Sequence, residues 1–127
     1  NDTLSGSSGV DTLYGGAGND SLSGGVGTDQ LYSGIGSDVF FFQYTNDSSV
    51  GAGRDVIHDF DTRYDTIDLS NMAVLHWSGT SAAANGLWVT TSGGNTTVRA
   101  DLDGNGTADF ALLLVGATGL TQGDFIL

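Results

Sequence analysis

Asp2, Asp11, Asp20, Asp29 and Asp38 recur at every ninth position, and Leu4, Leu13, Leu22, Leu31 and Phe40 each follow two residues later. The residues between them form the pattern G-G-x-G-x-D, in which glycines permit positive φ and bring several carbonyl oxygens to one side of a tight turn. Carboxylates set among carbonyls are hard oxygen donors. Calcium takes about six to eight such oxygens at about 2.3–2.6 Å, so calcium is the cation this spacing points to.

Written as units, the repeats are GSSGVDTLY (6–14), GGAGNDSLS (15–23), GGVGTDQLY (24–32) and SGIGSDVFF (33–41), preceded by NDTLS (1–5). Because the first residue falls mid-repeat, further repeats are expected before it. The second half of each unit is a very short strand whose Leu points inward while neighbours such as Thr12 and Tyr14 point outward. Two units make one coil, placing Leu13 and Leu31 on one sheet and Leu4, Leu22 and Phe40 on the other. Turns two units apart then stack at about 4.8 Å, which pairs Asp2 with Asp20, Asp11 with Asp29 and Asp20 with Asp38. Stacked carboxylates repel, and a cation between successive turns offsets the repulsion. Backbone carbonyls of Gly6, Ser8, Gly9, Gly15, Ala17, Gly18, Gly24, Val26, Gly27 and Gly36 are the expected companion ligands. A Gly/Ser-rich linker predicts neither the Asp phase nor the apolar position.

These units resemble the repeats-in-toxin (RTX) nonapeptide G-G-x-G-x-D-x-U-x, a calcium-binding repeat. Ser7 and Ser33 depart from it by replacing glycines. The resemblance implies an all-β fold: a right-handed parallel β-roll over residues 1–42, then an antiparallel β cap over 43–127, the two forming one compact unit.

Past Phe40 the nonapeptide gives way to VFFFQY (39–44), which suits a longer buried strand. Asp47 keeps the nine-residue phase and could reach the last open turn near Asp29, or serve as a plain turn residue. RDVIHDFD (54–61) and RYDTIDLS (63–70) alternate polar and apolar residues as half-buried strands do. The pair D-x-I-x-D-F and D-x-I-D-L-S resembles the segment that closes the roll in serralysin-type metalloproteases. By that resemblance Asp59 is a ligand for the last calcium, while Asp55, Asp61, Asp65 and Asp68 are expected to be solvated. LWVTTS (87–92), TTVRADL (96–102) and DFALLLVG (109–116) read as antiparallel strands, the first two joined through Gly93-Gly94-Asn95. In DLDGNGTAD (101–109), residues Asp101, Asp103, Asn105 and Asp109 take positions 1, 3, 5 and 9 of a calcium-loop pattern, but position 12 is Leu112. Both a weak calcium loop and an Asp/Asn-rich hairpin turn fit these letters.

Composition restricts the partners. The chain has 21 Gly, no Pro and no Cys; its acidic residues are all Asp, and its only cations besides His are Arg54, Arg63 and Arg99, giving a net charge of −12. Gly and Asp favour turns over helices. A surface so negative repels nucleic acid and anionic membranes. Without Cys there are no disulfides, so bound metal is a candidate source of stability outside a cell. No apolar run is long enough to span a membrane. His58 and His76 lie outside any H-E-x-x-H motif, and neither a G-x-S-x-G elbow nor a thiol is present, so no catalytic residues are expected. His58 is expected to face outward, and Trp77 and Trp88 to pack in or around the core.

GDFIL, an acid before apolar residues at the C-terminus, resembles the uncleaved export signal of type I secretion substrates. The resemblance therefore implies a secreted, extracellular, non-catalytic module, calcium-folded after export. Its partners would be the type I transporter, acting through the tail, and an upstream domain of the parent chain, which could be a protease, lipase or epimerase. The alternative implied by the R-modules of alginate epimerases is binding of an anionic polysaccharide, for which so few cations make a sparse surface.

Overall fold

The computed structural model describes residues 1–72 and 74–127. In chain order the strands are β1 (Thr3–Ser5), β2 (Ser8–Gly9), β3 (Thr12–Ala17), β4 (Ser21–Ser23), β5 (Val26–Gly27), β6 (Gln30–Ile35) and β7 (Val39–Phe41). They continue as β8 (Asp55–Ile57), β9 (Thr66–Asp68), β10 (His76–Gly79), β11 (Gly86–Ser92), β12 (Asn95–Ala100), β13 (Phe110–Leu114) and β14 (Phe125–Ile126). Among the described residues the only helical pieces are 3-10 turns at Gly51–Gly53 and Gln122–Asp124.

Two sheets face each other across the core. One runs β1-β4-β7-β9-β14, the other β10-β11-β12-β13-β8-β6-β3, and β2 pairs with β5 along one line of turns. Parallel register stacks Leu4 on Leu22, Phe40 and Ile67 in the first sheet, and Leu13 on Leu31 and Ile57 in the second. Leu22, Leu31, Phe40, Ile57 and Ile67 are all fully buried. Each such side chain contributes roughly 1.5–3 kcal/mol of hydrophobic stabilisation. Leu4 and Leu13, in the first coil, are only partly buried.

The parallel stack does not stop at residue 42. β8 pairs with β6, and β9 with β7, in the register of the repeats, and β14 then adds to β9. Antiparallel pairing joins β11, β12 and β13, with Gly93 and Gly94 at positive φ in the first hairpin, and β13 returns to the roll by pairing parallel with β8. Residues 43–127 thus build both the last coil and the antiparallel layer.

The stretch 39–44 is a shorter strand than its apolar letters suggest. After Phe41 the chain turns, because Asp47 Oδ2 accepts hydrogen bonds from the N–H groups of Gln43 and Tyr44. Phe42 is buried edge-on against Phe110, 5.4 Å between ring centroids. Trp77 packs against Phe125, and Trp88 is buried, in keeping with packing roles.

Close stacking of turns explains the glycines. Gly16 and Gly34 both have positive φ, at 96° and 95°, but a Cβ on Gly16 would meet open space whereas one on Gly34 would run into the Gly16 carbonyl. Gly16→Ala should therefore show only the backbone strain of about 1–3 kcal/mol. Gly34→Ala should lose clearly more in urea melts at saturating calcium. Equal losses would show that turn stacking is looser than described.

Candidate metal centre

The repeat turns bring their aspartates into two ladders. On one side of the roll, the N–H of Asp11 donates to Asp29 Oδ1 at 2.8 Å, and that of Asp29 to Asp55 Oδ1 at 2.8 Å. On the other, Asp2 donates to Asp20 Oδ1 at 2.6 Å, Asp20 to Asp38 Oδ1 at 2.8 Å and Asp38 to Asp65 Oδ1 at 3.1 Å. The three expected pairings are all brought together, and each ladder continues one rung beyond the nonapeptides.

Asp55 and Asp65 are thus not solvated: they are 0% and 5% exposed. The reason is register. Asp55 precedes Ile57 by two residues, as Asp29 precedes Leu31; Asp65 likewise precedes Ile67, as Asp38 precedes Phe40. The D-x-apolar signature survives where the glycines do not, and it is the signal that identifies these rungs. Asp61 and Asp68 do lie nearer solvent, Asp61 in a 2.6 Å ion pair with Arg63 and Asp68 accepting from Ser70.

Each rung's second oxygen tells what the ladder lacks. Oδ2 of Asp11, Asp20, Asp29, Asp38 and Asp55 is buried with no hydrogen-bond partner. A buried, ionised oxygen left unsatisfied is costly, so such an oxygen either takes up a proton or meets a cation. Space and donors agree. The Cβ position of Gly6 lies 2.5 Å from the Gly24 carbonyl oxygen and 2.7 Å from Asp11 Oδ2. At Gly15 the same point lies 2.5 Å from the Ser33 carbonyl oxygen and 2.9 Å from Asp20 Oδ2. Carboxylate and carbonyl oxygens converge on pockets that only glycine leaves open, a donor set that fits calcium. Of the other expected carbonyls, that of Gly9 accepts the N–H of Thr28 at 3.3 Å, and those of Ser8, Ala17, Gly18, Val26, Gly27 and Gly36 belong to the same stacked turns.

The remaining acidic positions differ. Asp47 is buried and precedes Ser48, whose Oγ accepts the Asp55 N–H at 2.7 Å, and its charge adds to the upward push on Asp29 and Asp55. Asp59 accepts from the N–H groups of Ser33 at 3.0 Å and Gly34 at 2.9 Å, which uses both its oxygens. Asp101, Asp103 and Asp109 hold ligand atoms within 4.8 Å of one another. Their carboxylates also accept from loop N–H groups: Asp101 from Gly104 and Gly106, Asp103 from Asn105 and Asp109 from Leu102. Burial pushes the Asp101 carboxyl up, but the N–H groups of Gly106, Gly104 and Asn85 together hold it below the usual range.

Comparison with known proteins meets this geometry. Residues 5–40 match the family model of the RTX calcium-binding nonapeptide repeat, in four copies. The solution structure of the AlgE6R3 subunit from the Azotobacter vinelandii mannuronan C5-epimerase is 33% identical with a TM-score of 0.75, over 98% of this chain and 71% of that one. This chain belongs to the RTX β-roll family. The AlgE6R2 subunit of the same epimerase is 25% identical with a TM-score of 0.60, over 98% of this chain and 90% of that one. No curated protein matches the chain. The RTX repeats are calcium-binding repeats, and the RTX module they form is non-catalytic.

Without metal, the RTX ladder stores charge repulsion. Burial, then the charges of Asp29 and Asp47, push the Asp55 carboxyl up to about 8 against the pull of the Asp29 N–H. Burial also raises Asp29 and Asp65. Asp20 is instead lowered, chiefly by the Asp2 N–H, and Asp61 falls to about 2 beside Arg63. Raised groups keep a proton in the folded state that the unfolded chain releases near the ordinary 3.8, so metal-free stability falls as pH rises from about 4 to about 8. The lowered groups act in the opposite sense only below about pH 4. In chelator, circular dichroism should accordingly show β structure increasing as pH drops from 8 toward 4.5, and Asp55→Asn should flatten much of that rise. A profile independent of pH would contradict the burial of these carboxylates.

Proposed function

We propose that this RTX module is a calcium-triggered folding switch of an exported protein, unfolded where calcium is scarce and locked outside the cell. The observation that carries it is the set of five buried, unpartnered Oδ2 atoms in the two ladders, on Asp11, Asp29 and Asp55 in one and on Asp20 and Asp38 in the other. When bound, calcium supplies the positive charge and oxygen coordination these atoms lack. The ligands in this reading are the carboxylates of Asp2, Asp11, Asp20, Asp29 and Asp38 with the carbonyls of the glycine turns. The nonapeptide turns hold the carboxylates in register through their N–H groups, and the leucine stack closes only when the turns stack.

Energetics favour a switch over a permanently folded roll. Ordering a glycine-rich chain costs about 1–2 kcal/mol per residue in backbone entropy, more for glycine, and the apolar stack is thin. Extracellular modules bind calcium at about 10⁻⁴–10⁻³ M. A site at ten times its Kd adds about 1.4 kcal/mol to folding, and several sites add in concert.

The tail supports export of an unfolded chain. In the folded module Phe125 is buried and Ile126 pairs with Asp68, while Asp124 Oδ2 accepts the N–H of Thr121 at 2.6 Å. A type I transporter reading GDFIL would do so before these contacts form.

A second reading, binding of an anionic polysaccharide, has one observation in its favour. On the outer face of the seven-stranded sheet Tyr14, Tyr32 and His58 stack in a row, at 4.8 Å and then 4.3 Å between ring centroids. His58 Nε2 bonds Gln30 Oε1 at 2.6 Å, and Arg99 stands on the same sheet opposite Trp88. Flat rings with polar edges suit sugar faces, and the similar AlgE6R3 structure comes from an enzyme acting on mannuronan.

Adding chelator at pH 7.5 should abolish most of the β signal in circular dichroism, and calcium should restore it cooperatively. A spectrum indifferent to chelator would defeat the switch. Calorimetric titration of the calcium-loaded module with mannuronan oligomers separates the second reading: saturable heat lost in Tyr32→Ala supports it, and no heat rejects it.

A further inference from the structure

Asparagine is followed by glycine twice in this chain, at Asn85-Gly86 and Asn105-Gly106. Such a pair leaves one backbone reaction unhindered. The main-chain nitrogen of the glycine can attack the side-chain amide carbon of the asparagine, and glycine has no Cβ to block the approach. The fold treats the two pairs differently.

Asn105 is clamped. Its Nδ2 donates to Asp103 Oδ2 at 2.8 Å, and its Oδ1 accepts the N–H of Thr107 at 2.7 Å together with the Thr107 hydroxyl. The Gly106 N–H is held by Asp101 Oδ2 at 2.7 Å, a charge-assisted bond that withdraws the attacking nitrogen. Asn85 is exposed, and among the described residues its side-chain amide makes no hydrogen bond. That amide lies over the open face of Gly104, whose Cβ position is 3.2 Å from Nδ2. Asn85 also holds a left-handed φ of 51°, in the turn closed by the Gly86 N–H on the Ala83 carbonyl at 2.9 Å. Only that neutral bond must open for the Gly86 nitrogen to reach the Asn85 amide carbon.

We propose that Asn85 is a site of spontaneous deamidation through Gly86, and that its conversion loosens the edge strand β10. The Gly86 nitrogen bonds to Asn85 Cγ, the Cγ–Nδ2 bond breaks, and ammonia leaves with the proton that the Gly86 nitrogen gives up. Water then cleaves one of the two C–N bonds of the cyclic imide. Cleavage on the side-chain carbonyl leaves aspartate; cleavage on the main-chain carbonyl leaves isoaspartate, whose backbone is one methylene longer.

The position makes this matter. The Asn85 carbonyl accepts the His76 N–H at 3.1 Å, the Asn85 N–H donates to Asp101 Oδ2 at 3.2 Å, and the Gly86 carbonyl accepts the Asp101 N–H at 3.0 Å. β10 lies at the edge of its sheet and pairs there with β11 alone, from His76 opposite Gly86 onward. Isoaspartate turns the His76 acceptor into a pendant carboxylate, and either product adds a negative charge near Asp101 in a chain already at −12. β10 carries Trp77, which stacks on Phe125 at 5.5 Å, so tryptophan fluorescence reports the strand.

The test is to hold the whole calcium-loaded chain in mildly alkaline buffer and follow its tryptic peptides by mass spectrometry. With no Lys, trypsin cuts after Arg54, Arg63 and Arg99, so Asn85 and Asn105 fall in different peptides, 64–99 and 100–127. Peptide 64–99 should gain the mass of a hydroxyl-for-amine exchange at least several-fold faster than 100–127, with fragmentation placing it at residue 85 and fluorescence drifting in step. Asn85→Gly, which suits the left-handed turn, should abolish both changes. In urea the two peptides should convert at comparable rates, which assigns the difference to the fold. Folded 100–127 converting as fast, a ratio that urea leaves unchanged, or no gain at residue 85 while the chain in urea converts would each overturn the site. Conversion without the fluorescence drift would overturn the loosening of β10.

Discussion

Carboxylates stacked at the spacing of β-strands are the constraint from which the rest of this structure follows. A parallel roll with one aspartate per turn must bring like charges within one strand spacing, about 4.8 Å. The backbone answers half of the demand: each Asp N–H is donated to Oδ1 of the aspartate one coil on, as between Asp11 and Asp29. The other half, the buried Oδ2 atoms, has no protein partner from Asp11 to Asp55. Protein hydrogen bonds thus fix the geometry of the ladder but leave these Oδ2 atoms without a protein partner.

Glycine makes the same point sterically. At Gly6 and Gly15 the absence of a Cβ leaves the opening where a carboxylate and a carbonyl oxygen meet. At Gly27, Gly34 and Gly36 it lets one turn rest directly on the carbonyl of the turn below. Ser7 adopts the left-handed conformation a glycine would take, with φ of 75°. These turns are built for ligand access and close stacking, and they bury little apolar surface. In the proposed reading folding and metal binding are for that reason one process, with the core of Leu22, Leu31, Phe40, Ile57 and Ile67 as its apolar partner.

The outward faces carry different chemistry. Tyr14, Tyr32 and His58 share one outer row because parallel register repeats side-chain direction from coil to coil. The register that stacks leucines inside therefore also aligns any outward residue into a row, which is how a repeat scaffold turns single substitutions into extended surfaces.

Period and residue type alone set the inward leucines and the common phase of Asp2, Asp11, Asp20, Asp29 and Asp38, because a strict nine-residue repeat gives every unit the same side-chain directions, and the resemblance of those units to the RTX nonapeptide implied the roll. The antiparallel strands after residue 86 were legible too, from alternation and the Gly93-Gly94 turn. Only the tertiary structure decided the fate of Asp47, Asp55, Asp59 and Asp65. Whether an isolated aspartate is a rung, a turn cap or a solvated charge depends on which strand it joins, and β8 and β9 join the roll through pairings 26 and 27 residues distant. It also decided that Asp65 ends its ladder satisfied by Asp61 while Asp55 does not. That difference turns on one N–H direction, which local spacing does not encode.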